Sequence, residues 1–344
     1  ENGFLDQVGL DSDTVYVSSV NGSDSNQGSE ESPLRTIHHA ISALYISQDS
    51  PKTILLDPGT YAPSSNSEIF PLNLISYLTL SGDELGGTVL DGEGLSNLIS
   101  VYHSQESSIK NLSLINGYSN TGGGVLCHSS NPYLESVSIH NNAADDEGGG
   151  LFLKDSAPVF SEILGSLCSV YSNEAPIGRD IVSYSELIEA VLDTFTVFDP
   201  TSVYAHPIQN FYIQSYHSIL DQNMSPEIHV AVNGDDLGGD GTQASPYSTL
   251  THALSVGTSS PESPLTIFLG EGEYGASEEF PIYLFDNLSV VGQGPELTTL
   301  SAGGSSRVIN IAKGWFKASS LQWGIAIPFP SAVQPSRSLS ISCS

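Results

Sequence analysis

The chain has 344 residues, 39% of them apolar, with 39 acidic against 9 basic side chains and a formal net charge of −30. That length allows two ordinary domains or one elongated one, and the apolar fraction supports a packed core rather than a disordered polyanion. No Lys/Arg cluster exists to track a nucleic-acid backbone or an anionic membrane, and no run of roughly 18 apolar residues could form a spanning helix.

After a lead of residues 1–14 comes VYVSSVNGSDSNQGSEESPLRTIHHAISAL, Val15 to Leu44. A β-branched run reaches Asn21-Gly22, an acidic loop follows, and Ser32-Pro33 opens an amphipathic stretch. Ser at the N-cap and Pro at the first helical position predict a short helix that buries Leu34, Ile37, Ala40, Ile41 and Leu44. A strand at Thr53–Leu56 then ends in a Gly-containing turn.

From Ile109 the text becomes short strands at regular spacing. Gly122–Gly124 recurs at Gly148–Gly150, and Asn131-Pro132 at Ala157-Pro158, a 26-residue period that loosens at Tyr171-Ser172-Asn173 and Gly178. Each period has room for about two strands and two corners. A coiled parallel sheet needs such a repeat, because every turn advances by one strand spacing, about 4.8 Å, and buries alternate side chains. Leu112, Leu114, Val137 and Ile139 are the expected inward rows. The first turn of such a coil leaves an open edge, which the helix after Ser32-Pro33 is placed to cover.

Residues 185–227 lose the Gly corners, and 201–227 reads as a connection between a first unit, 15–200, and a second, 228–344. IHVAVNGDDLGGDGTQASPYSTLTHALSV, Ile228 to Val256, repeats the opening grammar: Asn233-Gly234, then Ser245-Pro246, then a face of Tyr247, Leu250, Ala253 and Leu254. TILLDPGTY and FPLNLISYLTLSG match TIFLGEGEY and FPIYLFDNLSVVG downstream, so about eighty residues read as duplicated. No acidic residue follows Glu296, and the tail that holds Trp315 and Trp323 lacks the turn pattern, so the second unit reads as short or truncated.

Tyr16-Val17-Ser18, Gly22, Asp24, Asn26 and Gly28, followed by Pro33, Thr36-Ile37 and Ala40, are similar to the opening module of uncharacterised function in secreted right-handed parallel β-helix proteins of the pectate-lyase-like superfamily. The resemblance covers residues 15 to about 182 and returns over 228 to about 312. It implies an all-β, right-handed parallel β-helix with a short capping helix, here in two copies. The handedness agrees with the strong preference for right-handed parallel crossovers. Activity does not follow, since the module precedes enzymes and binding proteins alike.

The candidate chemistry is sparse. Asp24-x-Asn26-x-Gly28 and Asp236-x-x-x-Asp240-Gly241 each half-match a Ca²⁺ loop, but Arg35 and Tyr247 stand where the bidentate Glu belongs; short acids of this kind also build turns without an ion. NNAADDEGG is similar to the calcium loop of the ninth polysaccharide-lyase family, with Asp145 and Asp146 in ligand places and Gly149 in the third. Solvated corner residues are the plainer reading, since the preceding period carries Ser119-Asn120-Thr121 there. Asp145, Asp146, Asp236 and Asp240 are therefore the residues that could hold Ca²⁺, and no cofactor is required.

A lyase base must be Lys or Arg beside a charge-neutralising cation, and the complete coil offers only Lys110, Lys154 and Arg179, without the N-G-F-K motif of that lyase family. Polygalacturonase signatures and Ser-His-Asp or H-E-x-x-H patterns are missing, and one Thr194-Phe195-Thr196 row is no ice-binding ladder. Cys127, Cys168 and Cys343, odd in number and widely spaced, form no disulfide framework and read as buried thiols. Glu1, with no Met or cationic segment before it, and the low Lys content suit a mature secreted chain or an excised segment. The expectation is a non-catalytic extracellular or cell-surface module for adhesion, matrix building or glycan contact, whose partners are polysaccharide or matrix components and not nucleic acid. A polysaccharide lyase or glycoside hydrolase is the alternative.

Overall fold

The computed structural model describes residues 12–185, 187–284, 287–304, 306–311, 316–319 and 322–323. The expectations for the tail from residue 324, Cys343 included, lie outside the described residues. Two compact units are present: one reaches to Ile219, and the other begins at Leu220 and includes Thr201–Val203.

The first unit is a parallel β-solenoid. Its main sheet runs, in spatial order, through Thr14–Val17, Lys52–Leu56, Leu78–Ser81, Ser108–Ile115, Tyr133–His140, Cys168–Tyr171, Ile188–Phe195 and Phe211–Ser218. A second sheet stacks Leu72–Asn73, Ile99–Tyr102, Val125–His128, Leu151–Lys154, Ile181–Tyr184 and Ala205–His206. A third, two-stranded face joins Tyr118–Thr121 to Ala143–Glu147. The turns that carry this face thus hold three strands, where the sequence suggested two. The extra face was hidden because Ala144 is the single fully buried side chain of Ala143–Glu147, too few for an alternating pattern.

The 26-residue period is the register of the second sheet, where Val125 pairs with Ile99 on one side and with Leu151 on the other. Gly122, Gly148 and Gly178 turn the corner in successive turns with φ of +66°, +64° and +56°, a region that only Gly enters at no cost. Leu112 faces Val137 and Leu114 faces Ile139 across the main sheet, all four at most 2% exposed. Each such side chain contributes about 1.5–3 kcal/mol on burial, so these repeated rows hold the coil together.

Residues 201–227 are more than a connection. Ala205–His206 and Phe211–Ser218 are the last strands of the first coil, with Ala205 and Phe211 buried, while Pro200 and Pro207 sit between strands, where no ladder N–H is needed.

In the second unit the parallel sheets are Glu227–Val230, Leu265–Leu269, Leu288–Val291, Phe316–Ser319; Gly272–Tyr274, Thr298–Leu300, Gln322–Trp323; and Ile282–Leu284, Ile309–Ile311. Its core includes Ile228, Val230, Leu250, Ala253, Leu265, Ile267, Leu269 and Leu300.

Each unit opens with a cap helix, Ile37–Ala43 and Leu250–Val256, but both start later than Ser-Pro predicts, with Thr36 and Thr249 as N-caps. Leu34 and Tyr247 instead pair with the first strand: the Leu34 N–H donates to the Tyr16 carbonyl and the Tyr247 N–H to that of His229. Pro33 and Pro246 then stand at the strand edge, where a missing N–H costs nothing. The apolar residues still lie inside: Leu34, Ile37 and Ala40 in one unit, Tyr247, Leu250, Ala253 and Leu254 in the other, with Ile41 and Leu44 half-buried.

Candidate functional site

The Asn-Gly loops owe their glycines to crowding. A Cβ on Gly22 would sit 2.0 Å from the Leu34 carbonyl oxygen, and one on Gly234 2.2 Å from that of Tyr247. This close approach brings the acid of each loop onto the helix start. Asp24 Oδ1 accepts the N–H groups of Arg35 (3.0 Å) and Thr36 (2.9 Å), and Oδ2 the Thr36 hydroxyl (3.0 Å). Asp236 does the same with Ser248 (2.8 Å), Thr249 (3.0 Å) and the Thr249 hydroxyl (2.8 Å). Glu68 takes the N–H groups of Ile37 and His38, Glu278 those of Leu250 and Thr251, and the capping threonines take the next, from His39 and His252.

Two carboxylates thus meet the positive end of each cap helix, with the leading N–H groups satisfied by side chains. Burial pushes the Asp236 carboxyl up, but the hydrogen bonds from Ser248 and Thr249 outweigh it and hold it below the usual carboxylate range. Glu68 is more deeply buried, and there desolvation wins and raises it. Three of the roughly four lone-pair directions of Asp236 are used on the protein itself. Asp240 makes a local turn instead, with its Oδ1 accepting the Thr242 N–H (3.0 Å), the main cause of its lowered pKa.

Asp145 and Asp146 lie on the third face at a β-bulge, where the register shifts between Ala144 and Glu147, so that two residues oppose Asn120 of the preceding turn. Both are exposed. Asp145 Oδ1 accepts the Tyr118 hydroxyl at 2.6 Å, and the neighbouring Glu147 accepts that of Tyr184 at 2.7 Å. Among the described residues no group of three or more His, Cys, Asp or Glu side chains is placed to hold a metal.

Of the candidate cations, Lys110 is paired with Glu135 (2.8 Å) and lies over the Tyr133 ring, and Arg179 stands at the corner before Ile181–Tyr184. Lys154 is exposed at the end of its strand, across the Gly148–Gly150 corner and the length of Leu151–Lys154 from the acidic bulge. The register of the second sheet places Tyr102, His128, Lys154 and Tyr184 in one outward row. Tyr102 and Tyr184 are 51% and 48% exposed; His128 packs 6.2 Å from Tyr102 and 5.5 Å from His103, and Tyr184 meets Phe152 edge-on at 5.9 Å.

The family model described as a protein of unknown function (DUF1565) matches residues 20–168 and 232–320, covering both capped stretches. The chain belongs to this family. No curated protein and no solved structure matches it.

In this DUF1565 chain, sequence reasoning missed two polar ladders that run along the coil. Backbone N–H groups of Ser104, Ser130 and Ser156 donate in turn to the hydroxyls of Ser130, Ser156 and Ser185. At the other corner, Asn142 Oδ1 accepts the Gly117 N–H (2.8 Å), its Nδ2 reaches the Leu114 carbonyl (2.9 Å) and Asn173 Oδ1 (3.1 Å), and Asn173 Nδ2 reaches the Ile139 carbonyl and Asp180 Oδ1, both at 3.0 Å. Gly124 and Gly150 make room, since a Cβ there would lie 3.1 and 2.8 Å from those amide nitrogens. Asp180 holds the same register position one turn on and ends the ladder with its carboxyl, fully buried. Desolvation raises it to about 7 against the pull of Thr196 and Asn173. Asn142 and Asn173, which follow Asn141 and Ser172 at matching corners, were the signal available in the sequence.

Proposed function

We propose that this DUF1565 protein is a duplicated member of the pectate-lyase-like superfamily and a non-catalytic module of the extracellular space or cell surface that contacts polysaccharide. Duplication is supported by the helix-capping bonds, which recur residue for residue, from Asp24, Thr36 and Glu68 to Asp236, Thr249 and Glu278. Superfamily membership is supported by the parallel coil and the opening motif. The observation that carries the function is the outward row Tyr102, His128, Lys154, Tyr184. Exposed aromatic rings offer flat faces to the C–H surfaces of sugars, and Tyr102 and Tyr184 stand at the two ends of the row, three strand spacings of about 4.8 Å apart, with His128 beside Tyr102. Hydrolysis or elimination would need an acid–base pair at the row, whereas Asp145 and Glu147 are engaged by the hydroxyls of Tyr118 and Tyr184.

The test is retention of the protein on neutral and uronic polysaccharides, with and without Ca²⁺, while unsaturated-product absorbance and reducing ends are followed. Retention without product, weakened in Tyr102→Ala and Tyr184→Ala, is the expected result. Calcium-dependent product lost in Asp146→Ala or Lys154→Ala would replace this reading with a polysaccharide lyase.

A further inference from the structure

The corner that carries the asparagine ladder has an outer side. There Glu93, Asn116 and Asn141 stand one above another in three successive turns, with φ of +51°, +54° and +56°. Backbone bonds lock the stack: the Gly94 N–H donates to the Asn116 carbonyl (2.7 Å), and the Asn116 N–H to that of Asn141 (3.1 Å). With Gly94, Gly117, Tyr118 and Ala143 they line a solvent-open groove of about 540 Å³, within the size range of small-molecule sites.

Each polar side chain at this groove is already held by a neighbour. Glu93 is bonded by the Ser64 N–H and hydroxyl, Asn116 Nδ2 donates to Asp91 Oδ1 (2.9 Å), Asn141 Nδ2 contacts His140 Nδ1 (3.1 Å), and the Tyr118 hydroxyl is tied to Asp145. Tyr118 nevertheless remains 42% exposed. Rotamers fixed in this way lose little entropy when a ligand arrives. None of the lining residues is cationic, and the carboxylates of Glu93, Asp91 and Asp145 surround the groove, which selects against anionic ligands.

We propose that this groove is a binding site for a neutral pyranose, a second carbohydrate contact on a corner of the coil, separate from the Tyr102–Tyr184 row. One sugar face stacks on the Tyr118 ring, and its hydroxyls donate to Glu93 and to the amide oxygens of Asn116 and Asn141. The proposal rests on the reading of the protein as a glycan-contact module and names the ligand class for a different part of its surface.

Amide-resolved NMR titration of the full chain with a panel of neutral methyl glycosides and their disaccharides at millimolar concentration tests it, with glucuronic acid and a sulfated monosaccharide as charged controls. The expected result is a saturable shift of the Gly94, Gly117, Asn116 and Asn141 amide signals by at least one neutral glycoside. Tyr118→Ala should weaken it about tenfold, an amount typical of losing an aromatic platform. Glu93→Gln, which keeps the shape of the corner, should weaken it less, and Tyr102→Ala or Tyr184→Ala should leave it unchanged. No shift of these signals with any neutral glycoside, or tighter binding of the charged sugars there, would overturn the proposal. Loss of polysaccharide retention in Tyr102→Ala and Tyr184→Ala with no groove signal would sink the groove alone, whereas a lyase product would sink the module reading and leave a saturable groove shift standing.

Discussion

Replacing Asp180 by Asn keeps the carbonyl oxygen that Asn173 donates to and removes the ability to ionise. In the folded chain burial raises the carboxyl from 3.8 to about 7, so between those values the native state holds a proton that the unfolded chain has released. Stability therefore falls as pH rises through this window: it is full below about pH 4, declines toward about pH 7, and is flat above. A gap of about three pH units corresponds to about 4 kcal/mol at roughly 1.4 kcal/mol per unit, and full burial leaves no solvent screening to reduce it. Asp180→Asn should match the wild type to within about 1 kcal/mol near pH 4, since one hydrogen-bonding group replaces another, and become the more stable protein by up to about 4 kcal/mol near pH 8. Urea unfolding of both proteins at several pH values, followed by far-ultraviolet circular dichroism, measures the difference, in which every other titrating group cancels. A difference that stays flat from about pH 4 to pH 8, or that declines, would refute the assignment of Asp180 as the buried acid that ends the ladder.

Two further outcomes concern the caps. Gly22→Ala must displace the Leu34 carbonyl, and Gly234→Ala that of Tyr247, so each should cost about 2 kcal/mol or more, read as a lowered unfolding midpoint; an unchanged midpoint would mean that the loop relaxes freely. Glu68→Ala strips the acceptors from the Ile37 and His38 N–H groups and should cost about 2 kcal/mol, and Glu278→Ala should act alike on the second unit, where Leu250 and Thr251 lose theirs. Urea titration of the two variants should give losses within about 1 kcal/mol of each other, and a loss in only one would argue that the caps are unlike in energy despite their matching bonds.

Much of the molecule was legible because its signals are local. The inward rows Leu112, Leu114, Val137 and Ile139 follow from the two-residue alternation of a strand, the corner glycines Gly122, Gly148 and Gly178 from a backbone region closed to other residues, and the repeated Asn-Gly and Ser-Pro loops from side chains that act within a few positions of themselves. The tertiary structure alone decided what depends on register between turns some 25 residues apart. That register put Leu34 and Tyr247 beside strands and so delayed both cap helices, aimed Asp24 and Asp236 at N–H groups of the cap-helix starts, aligned the serine and asparagine ladders, and placed Asp180 at the buried end of one of them. Sequence spacing cannot specify such contacts, because an insertion in any corner shifts the pairing of every residue beyond it, and the energy of a carboxyl or an amide is set by which group the next turn brings opposite it.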